Sequence, residues 1–410
     1  MNARCRFCGS PLQDVFADLG MSPIANSFVA PEQADAMEPF YPLRAYVCRN
    51  CFLVQLEEFE APEAIFSDYA YFSSYSSSWL EHSRRYVDQM VERFGLSGSS
   101  QVIELASNDG YLLQYFRQRE IPVLGIEPAA NVAAVAERNG VRTVVEFFGR
   151  DVARRLAETS PADLLLGNNV LAHVPDLNDF VAGMKILLKP GGLITMEFPH
   201  LMRLVEEHQF DTIYHEHFSY FSFLTVSRVF ADHGLRLFDV EELPTHGGSL
   251  RIYGCHADDR EQPEATARAR ALREREREAG YGDLPLYDAF ARSVAEDKRA
   301  ILSFLIDLKR QGQSIAGYGA PAKGNTMLNF CGIGTDFLDY TVDLNPNKQD
   351  HLLPGSHIPI RAPEALAQTR PDIVLILPWN LRDEITEQHA YVRDWGGRFA
   401  ARAPEMKLLD

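Results

Sequence analysis

Between Tyr214 and Ser222 the chain reads YHEHFSYFS, with His215, Glu216 and His217 in a row behind Tyr214. Imidazole titrates near neutral pH and serves either as a proton-transfer group or as a metal ligand, so the cluster has an acid–base reading and a metal reading. On a regular strand His215 and His217 would share a face and Glu216 would point away. A metal site there needs a further ligand such as His173 or His233, whereas joining Glu216 to His217 needs a turn or an irregular loop. The neighbouring Phe218, Tyr220, Phe221 and Phe223 read as an apolar wall.

A second set is more specific. Of six cysteines, Cys5 and Cys8 form one C-x-x-C pair and Cys48 and Cys51 another, while Cys255 and Cys331 stand alone as core residues. Two such pairs in a cytoplasmic chain predict a tetrahedral zinc held by four thiolates rather than disulfides. Four protein ligands leave no position for water, so this zinc is structural.

The elements that must carry these residues follow from periodicity. After an amphipathic helix ending near Gly95, the runs QVIELA, IPVLGIEP, ADLLLGNN and LITMEFP read as strands. They alternate with helices over YLLQYFRQR, AANVAAVAERNG and LNDFVAGMKILLKPGG. Such alternation predicts an α/β, doubly wound, mostly parallel sheet, and YHEH lies just beyond its last strand. The charged run ATARARALREREREAG reads as a solvated connecting helix. Beyond it SIAGYGAPAKGNT, FLDYTVDLNPNK and PDIVLILPWN predict a second, smaller Rossmann-like α/β unit. The expected division is residues 1–70 for the zinc domain, 71–260 for the central domain, 261–295 for a helical linker and 296–410 for the C-terminal domain.

Ligands of doubly wound sheets sit beyond the carboxyl ends of strands. That rule collects Glu104, Ala106, Asn108, Asp109 and Gly110 in ELASNDG, Glu127 and Pro128 in GIEP, and Asn168 and Asn169 in GNN. Gly110 would let backbone approach a ligand, and Glu127 could accept from both ribose hydroxyls of an adenosine. The loop departs from G-x-G-x-x-G, which favours S-adenosylmethionine over NAD. In the C-terminal unit the backbone N–H groups of a helix start and Lys323 could bind phosphate, with Asn325 and Tyr318 as further substrate contacts; Lys348 and Trp379 carry less weight. Asp343 stands where a ribose-binding acid would, so an NAD-dependent sugar oxidoreductase or epimerase is a rival, as is a zinc-scaffolded binding protein.

Composition bounds the rest. At 410 residues the chain is long enough for several domains, and a formal net charge of −17 opposes nucleic-acid binding. No apolar run reaches the roughly 20 residues that span a bilayer, and MNARCRFCGS has no signal-peptide character, so the expected location is the cytoplasm with no membrane partner.

LKPGGLITMEFP resembles the turn and fifth strand of class I methyltransferases, and the two C-x-x-C pairs, ELASNDGYLL, YHEHFSYFS and GYGAPAKGNT together resemble the zinc-containing, S-adenosylmethionine-dependent sugar C-methyltransferases, which act at C3 of dTDP-linked 4-keto-deoxysugars on the way to antibiotic sugars. The resemblance spans nearly the whole chain. It implies a structural zinc, a central class I methyltransferase domain, and a C-terminal domain that helps hold the nucleotide sugar. It also places around the acceptor Tyr214, Glu216, His217, His173 and either Tyr69 or Tyr71. On this reading His217 is the general base, Glu216 its orienter or an acceptor of a sugar hydroxyl, and Tyr214 and His173 partners of the enolate or sugar. Acceptors other than sugars stay open, and a monomer is expected.

Overall fold

The computed structural model of the chain describes residues 3–60, 72–402 and 405–409, so Tyr69 and Tyr71 lie outside the described residues. Three sheets organise it. The first contains Asp14–Ser22 (β1), Tyr41–Val47 (β2) and Val54–Leu56 (β3) in antiparallel order. Its fourth strand comes from far downstream: Gln55 pairs with Ser219 and Val54 with Tyr220, directly after the YHEH stretch. Zinc domain and catalytic candidate are therefore parts of one hydrogen-bonded sheet.

The central sheet comprises Val102–Leu105 (β4), Val123–Ile126 (β5), Thr143–Val144 (β6), Ala162–Asn168 (β7) and Leu188–Pro199 (β8). After the short strand Ser219–Tyr220 (β9), it is completed by Leu235–Leu243 (β10) and Ser249–His256 (β11). The order is β6-β5-β4-β7-β8-β11-β10, with β4 to β8 parallel and β11 antiparallel to β8. The order reverses between β4 and β7, which makes their carboxyl ends the ligand crevice. The near-continuous apolar runs of β4, β5 and β7 are what strands covered on both faces require.

Local chemistry sets the helix ends. Helix Ser77–Phe94 starts where the Ser76 side chain accepts from the Trp79 N–H and ends at Gly95 in the left-handed region, with Ser83, Tyr86, Val87 and Met90 on its buried face. Helix Leu177–Leu187 is capped by Asp176 and buries Leu177, Phe180, Val181, Met184 and Leu187. It stops before the KPGG turn rather than running through it. Strand β8 begins at once, since Pro190 cannot donate to a helical ladder.

The charged segment Ala267–Glu278 is a helix but not a merely solvated one. Its Ala269 and Leu272 are buried, and Glu276 is fully enclosed. There it accepts from the backbone N–H groups of Phe223 and Leu224 at 2.7 and 2.8 Å and meets His200 Nε2 at 2.7 Å. A carboxylate at the start of helix Phe223–Asp232 satisfies donors that helix geometry leaves open. Helical charge alternation could not reveal this one inward-facing glutamate.

The C-terminal sheet is formed by Ile315–Tyr318 (β12), Thr341–Val342 (β13), Ile360–Arg361 (β14), Ile373–Ile376 (β15), Arg398–Arg402 (β16) and Met406–Leu409 (β17). Its order is β14-β13-β12-β15-β16-β17, parallel except for β17. Helix Leu284–Arg310 leads into it without a break across the expected boundary at residue 296. It packs on β1, where Phe290 stacks on Phe16 with ring centroids 4.5 Å apart. One apolar cluster thus runs from β1 to β15 and locks the terminal domains together.

Candidate active site

The four cysteine sulfurs come together within 4.8 Å of one another, with Cys5–Cys51 and Cys8–Cys48 both at 3.5 Å. Zinc–sulfur bonds of about 2.3 Å in a tetrahedron separate sulfurs by roughly 3.8 Å, so the quartet fits zinc. The two pairs are the same turn built twice. The N–H of Gly9 bonds to the Cys5 carbonyl and that of Phe52 to the Cys48 carbonyl, and Gly9 and Phe52 both have positive φ. Gln55 Nε2 donates to Cys5 Sγ at 3.2 Å, the outer support such a thiolate needs.

At the crevice, the loop after β4 has positive φ at Ala106, Asn108 and Gly110. A side chain on Gly110 would meet Val141 at 3.0 Å and also Ala136, so its φ and its packing beside helix Ala130–Arg138 both call for glycine. Glu127 is buried beyond β5 and accepts from the N–H groups of Asn108 and Ala129, both at 2.9 Å. Pro128 follows it, half-buried, at the start of that helix. Burial pushes the Glu127 carboxyl up and that of Glu104, at the end of β4, well up. Asn108 Oδ1 accepts from the Ser73 N–H, and Asp109 Oδ2 accepts from the N–H and Oγ of Ser74. These two residues thereby clasp the segment that leads into helix Ser77–Phe94. Ser107 Oγ, Asp109 Oδ1 and both amide atoms of Asn168 are buried without a partner. Buried polar atoms without partners are costly, and these stand at the carboxyl ends of β4 and β7, where the strand order reverses.

The YHEH stretch is a turn: the His217 N–H bonds to the Tyr214 carbonyl at 2.9 Å. Strand alternation therefore does not apply. His217 Nδ1 lies 3.0 Å from the Thr212 carbonyl, so it carries the proton and Nε2 is the basic nitrogen. Its ring sits 4.0 Å from that of Tyr214 and 4.7 Å from that of His173, which approaches edge-on. Burial, with His173, Lys323 and His246 nearby, holds His217 well below the ordinary imidazole range, and burial holds His173 at about 4. Both rings are neutral at pH 7.

Glu216 takes a different path from the one expected. Its carboxylate accepts from Asn26 Nδ2 at 2.8 and 3.0 Å, facing Lys348, and burial raises it to about 7. The Thr212 carbonyl orients His217; the Glu216 carboxylate does not. His215 turns away toward the Pro42 carbonyl and the ring of Tyr41. Among the described residues the cysteine quartet is the group of histidine, cysteine and acidic ligands close enough to hold an ion.

The third wall comes from the C-terminal domain. Lys323 Nζ donates to Asn380 Oδ1 at 2.8 Å, lies 4.4 Å from the Trp379 ring centroid, and is lowered to about 8 by burial. Asn325 donates to the Ala25 carbonyl while its Oδ1 is buried without a partner. Trp379 Nε1 donates to Asp211 Oδ2 at 2.6 Å, and Arg402 faces the same carboxylate. Tyr318 instead bonds His389 at 2.7 Å, away from this junction. Asp343 accepts from the Ala320 N–H at 2.7 Å and faces Lys348. Asn26, Thr212, Asp211 and His246 carry no motif of their own; only the pair of glycines after His246 signals an unusual loop.

Compared with known proteins, the chain is 37% identical over 407 residues to the C-methyltransferase NovU of Streptomyces niveus, covering 99% of this chain and 96% of that one. The chain belongs to the zinc-binding, S-adenosylmethionine-dependent C-methyltransferase family. Family models agree along its length: a zinc binding domain at residues 5–66, a methyltransferase domain at 79–240 and a C-methyltransferase C-terminal domain at 244–404. For this C-methyltransferase the last of these begins before β11, which belongs to the central sheet. Solved structures overlap only in part. The PH0226 protein of Pyrococcus horikoshii is 13% identical with TM-score 0.36, covering 48% of this chain and 99% of its own. Magnesium protoporphyrin IX methyltransferase of Synechocystis is 13% identical with TM-score 0.33, covering 43% and 78%. The strand order, not these likenesses, defines the methyltransferase sheet. S-adenosylmethionine and a structural zinc are the groups this family of enzyme uses, and no helix among the described residues is long and apolar enough to cross a membrane.

Proposed function

We propose that this C-methyltransferase methylates C3 of a dTDP-linked 4-keto-deoxysugar, in the making of an antibiotic sugar, as a cytoplasmic monomer. The observation that carries the reading is His217. Methylation at carbon requires a carbon nucleophile, and a carbon beside a ketone becomes one when a base removes its proton. His217 offers a neutral imidazole whose Nδ1–H is held by Thr212 and whose Nε2 has no hydrogen-bond partner among the described residues. S-adenosylmethionine supplies the electrophilic methyl group.

In this reading His217 Nε2 takes the C3 proton, while Tyr214 and His173 beside it hold the sugar. Glu216, anchored by Asn26, faces the sugar hydroxyls. Lys323 and Asn325 stand at the start of helix Ala322–Cys331, where free N–H groups and an ammonium suit a diphosphate. Lys348 adds a second cation near Glu216. Such local cations in a chain of net charge −17 favour a small anionic ligand. Tyr318, engaged by His389, has no part in this reading.

The test is incubation with methyl-labelled S-adenosylmethionine and a panel of nucleotide-linked 4-keto-deoxysugars in deuterated water. Labelled methyl at C3 of the product, and deuterium at C3 of the recovered unmethylated substrate, are expected for a dTDP-linked member. Transfer to none of the panel would sink the proposal.

A further inference from the structure

His246 lies in the β10–β11 connection, PTHGGS, with φ +55 and ψ +22, a left-handed conformation uncommon for any residue with a Cβ. The loop is pinned from both sides. A side chain on Gly247 would meet the Trp379 ring at 2.4 Å, and one on Gly248 would meet Arg203 at 2.6 Å. Gln209 Nε2 also donates to the Gly247 carbonyl at 2.7 Å. Strained backbone persists where surrounding structure over-determines it, and such positions gather at functional sites.

The strain delivers the ring to one place. Nε2 of His246 lies 3.1 Å from Asn169 Nδ2, at the end of the β7 crevice, and Trp79 packs 5.2 Å from its centre. An amide nitrogen only donates, so Nε2 accepts and Nδ1 carries the proton. That N–H has no partner among the described residues and is not sealed in the protein. The Trp379 ring against which Gly247 packs also lies 4.4 Å from Lys323 Nζ, so the His246 loop and Lys323 flank one indole, and Lys323 and His246 are both close enough to His217 to bear on its charge. Burial keeps His246 neutral, at about 4. A neutral imidazole N–H is a donor that stabilises a developing oxyanion without surrendering its proton.

We infer that His246 is a catalytic residue whose Nδ1–H donates a hydrogen bond to the ketone oxygen of the acceptor as it becomes an enolate, opposite the base His217. This rests on the enolisation reading above. His217 Nε2 takes the proton from carbon, the C–H electron pair becomes the carbon–carbon double bond of the enolate, and the carbonyl π pair moves onto the ketone oxygen, where Nδ1–H of His246 stabilises it by hydrogen bonding alone. The oxygen pair then re-forms the carbonyl while the carbon–carbon π pair bonds the methyl carbon as the methyl–sulfur bond breaks, and the sulfonium becomes a neutral thioether.

Two variants that tolerate positive φ test it. His246→Gly removes the donor, and His246→Asn keeps one near the Nδ1 position. Deuterium exchange at the acceptor carbon, kcat and KM for methyl transfer, and S-adenosylmethionine binding are measured for each. Exchange and kcat in His246→Gly are expected to fall on the order of 10²–10³-fold, with cofactor binding and acceptor KM nearly unchanged. His246→Asn should recover roughly tenfold or more of that loss. Wild-type exchange in His246→Gly, or a change confined to KM, overturns the inference while leaving the enzyme reading intact. A wild type that neither exchanges nor methylates any ketosugar overturns both. Independently of substrate, ¹⁵N imidazole spectra of the whole enzyme should show His246 as the neutral Nδ1–H tautomer at pH 7; the Nε2–H tautomer overturns the inference.

Discussion

The Nδ1 of His217 and the carbonyl oxygen of Thr212 lie 3.0 Å apart, five residues from each other along one turn. That contact leaves Nε2 as the basic nitrogen. Replacing His217 with Gln should lower exchange and methyl transfer about 10²–10⁴-fold, with S-adenosylmethionine binding unchanged by calorimetry. Equal losses in binding and turnover would mean the residue is structural.

The buried titratable groups predict a pH profile of stability. His173 and His246 are held at about 4 and His217 well below its usual range, against 6.5 for free imidazole. Above 6.5 their contribution is fully present. It is lost as pH falls toward 4, because the unfolded chain binds protons that the folded one refuses. Each such ring steepens the loss by about 1.4 kcal/mol per pH unit. Glu216, raised to about 7 from 4.5, acts in the opposite sense: its contribution is present below 4.5 and lost as pH rises through 7. Denaturant unfolding at pH 5 and pH 8 should therefore show Glu216→Gln gaining stability relative to wild type at the higher pH. A constant difference would show that Glu216 titrates normally.

Val54 faces Tyr220 across β3 and β9, so the zinc domain and the strand that follows the YHEH turn share a ladder. Chelating zinc, or making Cys48→Ser, should abolish methyl transfer while S-adenosylmethionine binding falls by less than tenfold, since the cofactor crevice belongs to another sheet. Calorimetry and activity on the same chelated sample decide this, and retained turnover without zinc would disprove the coupling.

Asp211 accepts from Trp379 Nε1 and pairs with Arg402, both from the C-terminal domain. Asp211→Ala leaves the buried Arg402 without this carboxylate and should cost about 3–5 kcal/mol of stability. Asp211→Asn, which still accepts from Trp379, should cost less. Thermal unfolding of the two variants orders them.

Glu276 offers a last check on the enclosed carboxylate. Glu276→Ala removes the acceptor for the N–H groups of Phe223 and Leu224 and the partner of His200, and should destabilise by about 1–3 kcal/mol. Exposed neighbours on the same helix, such as Glu274, should change stability by less than about 0.5 kcal/mol.

Some of this was legible along the chain. Equal cysteine spacings and strand–helix alternation are local patterns, and each C-x-x-C turn or apolar run needs only its own few residues to declare itself. Hence the zinc quartet and the central sheet could be read from sequence, and with them the places of Glu104, Glu127 and Asn168 at its strand ends. The partners of adjacent residues could not. Glu216 and His217 are neighbours, yet one turns to Asn26, 190 positions away, and the other to Thr212, because a turn rather than a strand carries them. Gly110 packs on Val141, Glu276 points inward from a charged helix, and His246 meets Asn169 from a left-handed hairpin position. Each of these depends on which surface another element presents, and the pairing of distant surfaces is a property of the packed chain alone.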